Sequence, residues 1–177
     1  GLIEAVVSMA RMPVIKHYDG ICHLYIDDQC DVDMARKLVI DSKTQKPSVC
    51  NALETLLISE DIAESLLPLI ASDLEQKNVE LRCDEKSLTI IGDSAMAATD
   101  EDWRAEYLDL ILSIKVVNDI NEAIDHINEY GSHHSDCIVT DSDKRAEQFM
   151  SQIDSATVFW NVSTRFSDGE EFGFGAE

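Results

Sequence analysis

Short apolar runs alternate along the chain with amphipathic patterns of helical period. In the stretches 35–42 and 146–153, apolar or small residues fall at i, i+3, i+4 and i+7, which is one face of a helix. The run 108–117 is almost continuously apolar, which is typical of a strand buried on both faces of a parallel sheet. The run 52–58 suits a strand or a helix, and its length favours a buried strand. The predicted strands cover residues 14–16, 22–26, 52–58, 79–82, 108–117, 137–140 and 156–160.

Polar and helix-breaking residues set the predicted helix ends. Asp31 is a predicted N-cap, and residues 119–122 resemble a capping box for a helix that Gly131 ends. A further helix is expected to open at residue 142 or 143. Pro68 is expected to kink the helix that contains it, because proline removes one backbone hydrogen bond.

The order of these elements predicts the fold class. Strand–helix–strand–helix–strand between residues 108 and 161 implies right-handed crossovers and parallel strands. Residues 84–105 are predicted to mix short helix and loop. We therefore predict a three-layer α/β fold, with a mostly parallel sheet and helices on both faces. Because sites in such folds gather at the carboxyl ends of strands, the loop 161–169 is a candidate site on geometry alone.

The charge balance excludes some partners. With 14 Lys+Arg against 35 Asp+Glu, the formal net charge is −21, so phosphate backbones and anionic membranes would repel the chain. No apolar run approaches the roughly 18–20 residues that span a bilayer. The 45% hydrophobic content is enough for a packed core. We therefore expect neither nucleic acid nor membrane as a partner.

The cysteines and the chain ends indicate the compartment and the size of the parent protein. An odd number of cysteines without a Cys-x-x-Cys pair argues against a disulfide framework and a zinc ribbon. We expect reduced thiols in a cytoplasmic protein. The chain begins apolar at Gly1 and stops in the glycine- and aromatic-rich stretch 171–177, so we expect a piece of something longer. The cysteines are Cys22, Cys30, Cys50, Cys83 and Cys137.

Few short motifs indicate a chemistry. There is no Gly-x-Gly-x-x-Gly, no Walker A and no Gly-x-Ser-x-Gly sequence. His126, His133 and His134 lack the compact spacing of a metal site, so no metal is expected. Cys50 lies in a breaker-rich loop near Lys46, where an exposed thiol forms a thiolate more easily, and it is the candidate nucleophile. A buried, inert thiol is the competing interpretation.

Longer stretches resemble a known enzyme family. Residues 13–23 (Pro-Val-Ile-Lys-His-Tyr-Asp-Gly-Ile-Cys-His) and 43–57 (Lys-Thr-Gln-Lys-Pro-Ser-Val-Cys-Asn-Ala-Leu-Glu-Thr-Leu-Leu) resemble γ-glutamyl phosphate reductase, which belongs to the aldehyde dehydrogenase superfamily. Later stretches agree and keep the order of the family. They are 102–112, 122–128 with 130–134, and 161–169 with 172–177. The resemblance covers essentially the whole chain.

The resemblance implies a covalent mechanism. Cys50 would attack the acyl phosphate of L-glutamyl 5-phosphate and expel phosphate, leaving a thioacyl-enzyme that hydride from NADPH reduces to L-glutamate 5-semialdehyde. The backbone N–H of Cys50 would help to hold the oxyanion. Glu106 matches the position that contacts the nicotinamide ribose. The implied substrate-binding residues are Asn161, Ser163 and Arg165, with the Arg165 guanidinium suited to the α-carboxylate.

One departure from the superfamily pattern supports a reductase. Residues 17–20, His-Tyr-Asp-Gly, occupy the place where hydrolytic aldehyde dehydrogenases carry a general-base Glu followed by Leu-Gly-Gly. Without that Glu, water is poorly activated and a thioester survives for phosphate or hydride chemistry. Both a packing role and a catalytic role stay open for His17.

The resemblance also bears on domains and partners. It implies that residues 1–177 are a single catalytic domain, with the nucleotide-binding domain and the C-terminal segment outside this chain. The isolated chain is expected to turn over little or not at all. The full-length enzyme is expected to use NADP(H), to form a homo-oligomer and to associate with glutamate 5-kinase. A bifunctional kinase–reductase contains the same domain, and a non-catalytic α/β interaction module is the alternative outside the enzyme class.

Overall fold

Strands and helices alternate along the chain, as the periodicity predicts. The computed structural model describes residues 2–13 and 19–173, so the strand predicted at 14–16 and the role of His17 lie outside the described residues. The strands are β1 (Cys22–Ile26), β2 (Leu53–Ser59), β3 (Glu80–Cys83), β4 (Met96–Ala97), β5 (Ile111–Val117), β6 (Ser135–Val139) and β7 (Thr157–Trp160). The helices are α1 (Leu2–Met9), α2 (Val32–Thr44), α3 (Glu60–Glu75), α4 (Glu85–Ile91), α5 (Ile120–Tyr130) and α6 (Asp143–Gln152). Short 3₁₀ turns lie at Gly92–Ser94, Asp102–Arg104 and Thr164–Phe166.

The strands of the described residues form one sheet in the order β4-β3-β5-β2-β1-β6-β7. Every pairing between these strands is parallel. Strand β1 lies between β2 and β6, so that Leu24 pairs with Leu56 on one side and with Cys137 on the other. The parallel sheet that the alternation predicts is confirmed. No helix among the described residues combines the length and apolar composition that crossing a bilayer requires.

Both faces of the sheet are buried, because successive strand residues point to opposite sides. On β1, Leu24 and Ile26 join the core beneath α2 and α3, whereas Tyr25 joins the core beneath α5 and α6. On β2, Leu56 and Leu57 divide between the two cores in the same way. Helices therefore cover both faces, and the three-layer prediction is confirmed.

Side-chain caps mark helix starts at the predicted positions. Asp31 caps α2, and the Asp119 carboxylate accepts hydrogen bonds from the amides of Asn121 (2.8 Å) and Glu122 (3.0 Å). The capping box differs from the prediction in one respect. The Glu122 carboxylate accepts from the amide of Asn118 at 2.8 Å, one residue before the cap. The capping box thus provides an acceptor for the Asn118 amide, outside the helix, as well as for amides of the first helical turn.

The strand predicted at 108–117 is shorter than its apolar run and begins at Ile111. Leu108 has a left-handed φ of 54°, which ends extended backbone there. The Asp109 carboxylate accepts the amide of Leu110 at 2.7 Å, which further bends the chain before the strand. Hydrophobicity alone could not locate this bend.

Three further predictions concern single elements. Pro68 lies on the exposed side of α3, which continues through it to Glu75, and the kink at Pro68 stays a prediction. The stretch 84–105 contains short helices and loop, as predicted, and also the two-residue edge strand β4, which is too short to show a strand pattern. Ser142 is the N-cap of α6.

Aromatic rings cluster around His126 of α5, with His23 and His126 buried and Trp103 and Tyr130 partly exposed. The His126 ring is 5.6 Å from that of His23, 5.5 Å from Trp103 and 4.6 Å from Tyr130, measured between centroids. Burial, followed by the electrostatic effects of His23 and Lys115, lowers the pKa of His126 to about 2. His126 is therefore a neutral imidazole in the folded protein near pH 7.

Replacement of His126 by leucine is expected to reduce the loss of stability on acidification. The folded pKa of His126 lies far below its ordinary value of 6.5, so the unfolded chain binds the proton first and stability falls as the pH drops below 6.5. Between about pH 6.5 and pH 5, the unmodified protein should lose up to about 1.4 kcal/mol more per pH unit than His126→Leu. Urea unfolding at several pH values measures this difference, and parallel pH profiles would contradict it.

Candidate active site

The implied nucleophile Cys50 and the implied ribose contact Glu106 lie in loops at the amino ends of strands, and Gly20 lies in a third such loop. Gly20 precedes β1, Cys50 precedes β2 and Glu106 precedes β5, and these three strands are neighbours in the order β5-β2-β1. Neighbouring parallel strands begin at one edge of the sheet, so the loops before them meet there. This edge is opposite to the carboxyl edge, where the general rule for α/β sheets expects a site.

Gly20 brings Cys50 and Glu106 together. Its N–H donates to Oε1 of Glu106 at 2.8 Å. Its Cα packs so closely on the Cys50 backbone that a Cβ there would lie 1.8 Å from the Cys50 carbonyl oxygen and 2.5 Å from the Cys50 Cα. Only glycine fits this contact. The implied nucleophile and the implied ribose contact therefore lie on two sides of one residue.

Cys50 differs from the other cysteines in its surroundings. Its side chain is partly exposed, whereas those of Cys22, Cys83 and Cys137 are buried. Burial raises the pKa of Cys83 to about 11 and that of Cys137 to about 12, and it raises the pKa of Cys22 well above its ordinary value. Burial also raises the pKa of the half-buried Cys30 to about 11. These four thiols are neutral near pH 7, which makes Cys50 the best candidate nucleophile.

Cys22 and His134 form part of the wall next to Cys50. The Cys22 thiol donates to the Cys50 carbonyl oxygen at 3.3 Å, and its Sγ lies 3.8 Å from Nδ1 of His134. The amide of Ile21 donates to Oγ of Ser132 at 2.8 Å. The stretch with the paired histidines thus borders the site. Within residues 2–13 and 19–173, no three His, Cys, Asp or Glu side chains converge as metal ligands.

Asn51 joins the Cys50 loop to the turn Thr164–Phe166. Its side chain is buried, and Nδ2 donates to the carbonyls of Ser167 (2.9 Å) and Arg165 (3.4 Å). Its own carbonyl accepts from Oγ1 of Thr164 at 2.8 Å. The sequence reasoning missed this residue, because its only signal was adjacency to Cys50.

Asn161 lies away from this edge, whereas Ser163 lies beside Ser42 near the end of α2 and precedes the turn that contacts Asn51, and both side chains are in hydrogen bonds within the fold. Asn161 follows β7 at the carboxyl edge, where its side chain accepts the Thr140 amide and donates to the Thr140 carbonyl, both at 3.0 Å. Ser163 is buried, with its Oγ 3.0 Å from that of Ser42. Their implied part in substrate binding stays a prediction.

Arg165 contacts the loop that carries the candidate nucleophile. The loop 161–169 returns from the carboxyl edge to the amino edge, where Ser167 Oγ lies 3.4 Å from Oγ1 of Thr157 at the start of β7. The Arg165 Nε donates to Oε1 of Gln45 at 2.9 Å, on the loop that carries Cys50. Among the three implied substrate residues, Arg165 is therefore the one whose contacts reach the Cys50 loop.

A buried ion pair lies beneath the site. Lys43 at the end of α2 and Glu54 on β2 are both 0% exposed, with Nζ 2.6 Å from Oε2. Burial raises the pKa of Glu54 to about 7 and lowers the pKa of Lys43. The other carboxylate oxygen of Glu54 accepts the amide of Leu108 at 3.3 Å. Sequence reasoning did not find this pair, because Glu54 lies in an apolar run and no local pattern indicates that Lys43 is its partner.

Known proteins match this chain over its full length. A sequence profile of the aldehyde dehydrogenase family matches residues 95–175. The γ-glutamyl phosphate reductase of Clostridium botulinum is 52% identical over 177 residues, which is 100% of this chain and 42% of that protein. The reductase of Acetivibrio thermocellus is 54% identical over 176 residues, 99% of this chain and 40% of that protein.

Solved structures agree with the sequence matches. A crystal structure of γ-glutamyl phosphate reductase from Thermotoga maritima has a TM-score of 0.94 at 46% identity, covering 99% of this chain and 42% of that chain. NADP-dependent glyceraldehyde-3-phosphate dehydrogenase from Bacillus halodurans, complexed with NADP, has a TM-score of 0.72 at 19% identity. It covers 92% of this chain and 42% of that chain, and it supports the fold alone.

The fold and the sequence matches together show what the chain resembles. Its fold is similar to that of a solved γ-glutamyl phosphate reductase, and the aldehyde dehydrogenase profile matches its residues 95–175. Over its whole length the chain is about 50% identical to γ-glutamyl phosphate reductases. It spans 40–42% of the length of the relatives described here.

Replacement of Gly20 by alanine is expected to displace the Cys50 loop. The added Cβ would meet backbone atoms of Cys50, which cannot move aside as a flexible side chain can. We expect a loss of about 1–3 kcal/mol in the free energy of unfolding, together with slower alkylation of Cys50. Ser48→Ala, at an exposed position of the same loop, is the control and should change neither quantity. Wild-type stability and reactivity in Gly20→Ala would contradict the close contact.

Proposed function

We propose that this chain is the catalytic domain of a γ-glutamyl phosphate reductase. The full-length protein would reduce L-glutamyl 5-phosphate to L-glutamate 5-semialdehyde and phosphate in proline biosynthesis. The observation that carries the proposal is the meeting of Cys50, Gly20 and Glu106 at one edge of the sheet. The identity of about 50% to γ-glutamyl phosphate reductases supports the same substrate.

Cys50 would act as the nucleophile. Its thiolate would attack the acyl carbon, and the bond to the phosphate oxygen would break, which releases phosphate and leaves a thioester. The Cys50 backbone N–H would donate to the oxyanion of the tetrahedral intermediate. Reduction then gives a thiohemiacetal, which collapses to the aldehyde and returns the thiol. The stretch 17–20, His-Tyr-Asp-Gly, lacks the Glu that hydrolytic aldehyde dehydrogenases carry there as a general base, which supports survival of the thioester.

NADPH, when bound, supplies the hydride for this reduction. Glu106 would hold the nicotinamide ribose, because carboxylates accept hydrogen bonds from hydroxyl groups. Its carboxylate is near Cys50, since it accepts the amide of Gly20, which packs on the Cys50 backbone. The chain has no glycine-rich loop for the pyrophosphate. Most of the cofactor pocket would therefore lie in the part of the protein outside this chain.

Arg165 would bind the α-carboxylate of the substrate. A guanidinium offers paired donors that match a carboxylate. The hydrogen bond from Arg165 to Gln45 links Arg165 to the loop that carries Cys50. The substrate is anionic and the chain has a net charge of −21, so binding requires a local positive group of this kind.

The full-length enzyme would work in the cytoplasm as a homo-oligomer, with glutamate 5-kinase as a candidate partner. The cysteines support a reducing compartment, because none of the five forms a disulfide. A labile acyl phosphate also favours direct handover from the enzyme that makes it. A bifunctional kinase–reductase parent would join both activities in one chain.

Cys50 is expected to alkylate faster than any other cysteine of this chain. The raised pKa values of Cys22, Cys83 and Cys137 keep those thiols protonated near pH 7. Limited iodoacetamide treatment followed by peptide mass spectrometry measures the five rates. Equal labelling of all five cysteines would favour a non-catalytic interaction module.

Cys50→Ala in the full-length protein is expected to lower the phosphate-dependent reduction of NADP by glutamate semialdehyde by about 10³-fold or more. Cys30→Ala is the matched control, since Cys30 is the other partly exposed cysteine and lies at the opposite edge of the sheet, after β1. It should retain near-normal activity. Full activity in Cys50→Ala would exclude Cys50 as the nucleophile.

A further inference from the structure

The buried pair Lys43–Glu54 spans the base of the loop that carries Cys50. Lys43 is the next-to-last residue of α2, and Glu54 is the second residue of β2. Their side chains are both 0% exposed and meet at 2.6 Å. The ion pair therefore joins the two ends of the loop and limits how far Cys50 can shift.

Glu54 also holds the segment that carries Glu106. Its Oε1 accepts the amide of Leu108 at 3.3 Å, two residues beyond Glu106. Glu106 in turn accepts the amide of Gly20, which packs on the Cys50 backbone. A single carboxylate thus connects the loop of the candidate nucleophile with the segment of the candidate cofactor contact.

Stability does not explain this pair. Removing two charges from water is costly, and replacing a buried ion pair by apolar residues of similar volume is often neutral or stabilising. Leu56 and Ile58, which follow Glu54 on the same face of β2, belong to the apolar core beneath α2 and α3. The buried Lys43–Glu54 pair therefore indicates that hydrogen bonds of fixed direction are needed at this position.

We propose that Glu54, paired with Lys43, is a positioning residue that sets the relative placement of Cys50 and Glu106. Lys43 holds one carboxylate oxygen, so that the other is presented to the Leu108 amide. The hydrogen bonds of the Glu54 carboxylate run to Lys43 and to the Leu108 amide, so Glu54 would act through these groups. The inference rests on the proposed function, because it treats Cys50 and Glu106 as the residues whose placement matters.

Two double variants of the full-length protein separate positioning from stability. Lys43→Met/Glu54→Leu keeps the volume but removes the acceptor for the Leu108 amide, whereas Lys43→Met/Glu54→Gln keeps an acceptor. We expect the Leu variant to lower kcat by about 10- to 100-fold, with KM changed less than about 3-fold, because small misplacements of reacting groups cost that much. The Gln variant should recover most of kcat, and both should retain the thermal midpoint within a few degrees.

Glu54→Asp is the variant to use if the apolar replacement does not fold. It keeps the charge but shortens the side chain by one methylene, which withdraws the carboxylate from Leu108, and it should lower kcat about 10-fold in a folded protein. Arg36→Gln/Asp73→Asn is the matched control, because this ion pair joins α2 to α3 away from Cys50, with Nε 2.7 Å from Oδ2. It should leave kcat unchanged.

The alkylation rate of Cys50, followed in the same variants, provides a readout that needs no turnover. We expect the rate to fall in Lys43→Met/Glu54→Leu and Glu54→Asp and to be unchanged in the control. Folded variants with unchanged kcat and unchanged alkylation would overturn the positioning role. Normal activity in Cys50→Ala would instead overturn the proposed function, and the alkylation rates would still decide whether Glu54 positions Cys50.

Discussion

The contact between Gly20 and Cys50 is the constraint on which the site depends. The two backbones approach so closely that no side chain fits at residue 20, and this contact joins the loops before β1 and β2. The Gly20 amide also binds Glu106, which adds the loop before β5. Because these strands are parallel neighbours, one contact at their shared edge is enough to assemble residues that are up to 86 positions apart in sequence.

The environment around this contact separates Cys50 from the other thiols. Burial keeps Cys22, Cys83 and Cys137 neutral, whereas Cys50 lies on a partly exposed loop. The loop is held from below by the Lys43–Glu54 pair and from the side by Asn51. The charged groups of this arrangement are the buried Lys43–Glu54 pair and the partly exposed Glu106 and Arg165.

Much of the fold could be predicted from the sequence, because its signals are local. The buried strands have continuous apolar runs, and Asp31 and Asp119 cap helices through residues two or three positions away. The bend at Leu108 and the edge strand β4 escaped prediction, since a left-handed residue and a two-residue strand leave no periodic pattern. Asn51 and Glu54 escaped for another reason, because their partners lie far away along the chain or on a different element.

The sequence by itself determined the three-layer class, the parallel sheet and the choice of Cys50, because periodicity, breakers and family motifs are all contained in short stretches. The tertiary structure alone decided which edge of the sheet holds the candidate site. It also decided that Arg165 returns to that edge while Asn161 bonds to Thr140 at the other. These outcomes depend on strand order and on the path of the connecting loops, which bring distant residues together and which no local pattern records.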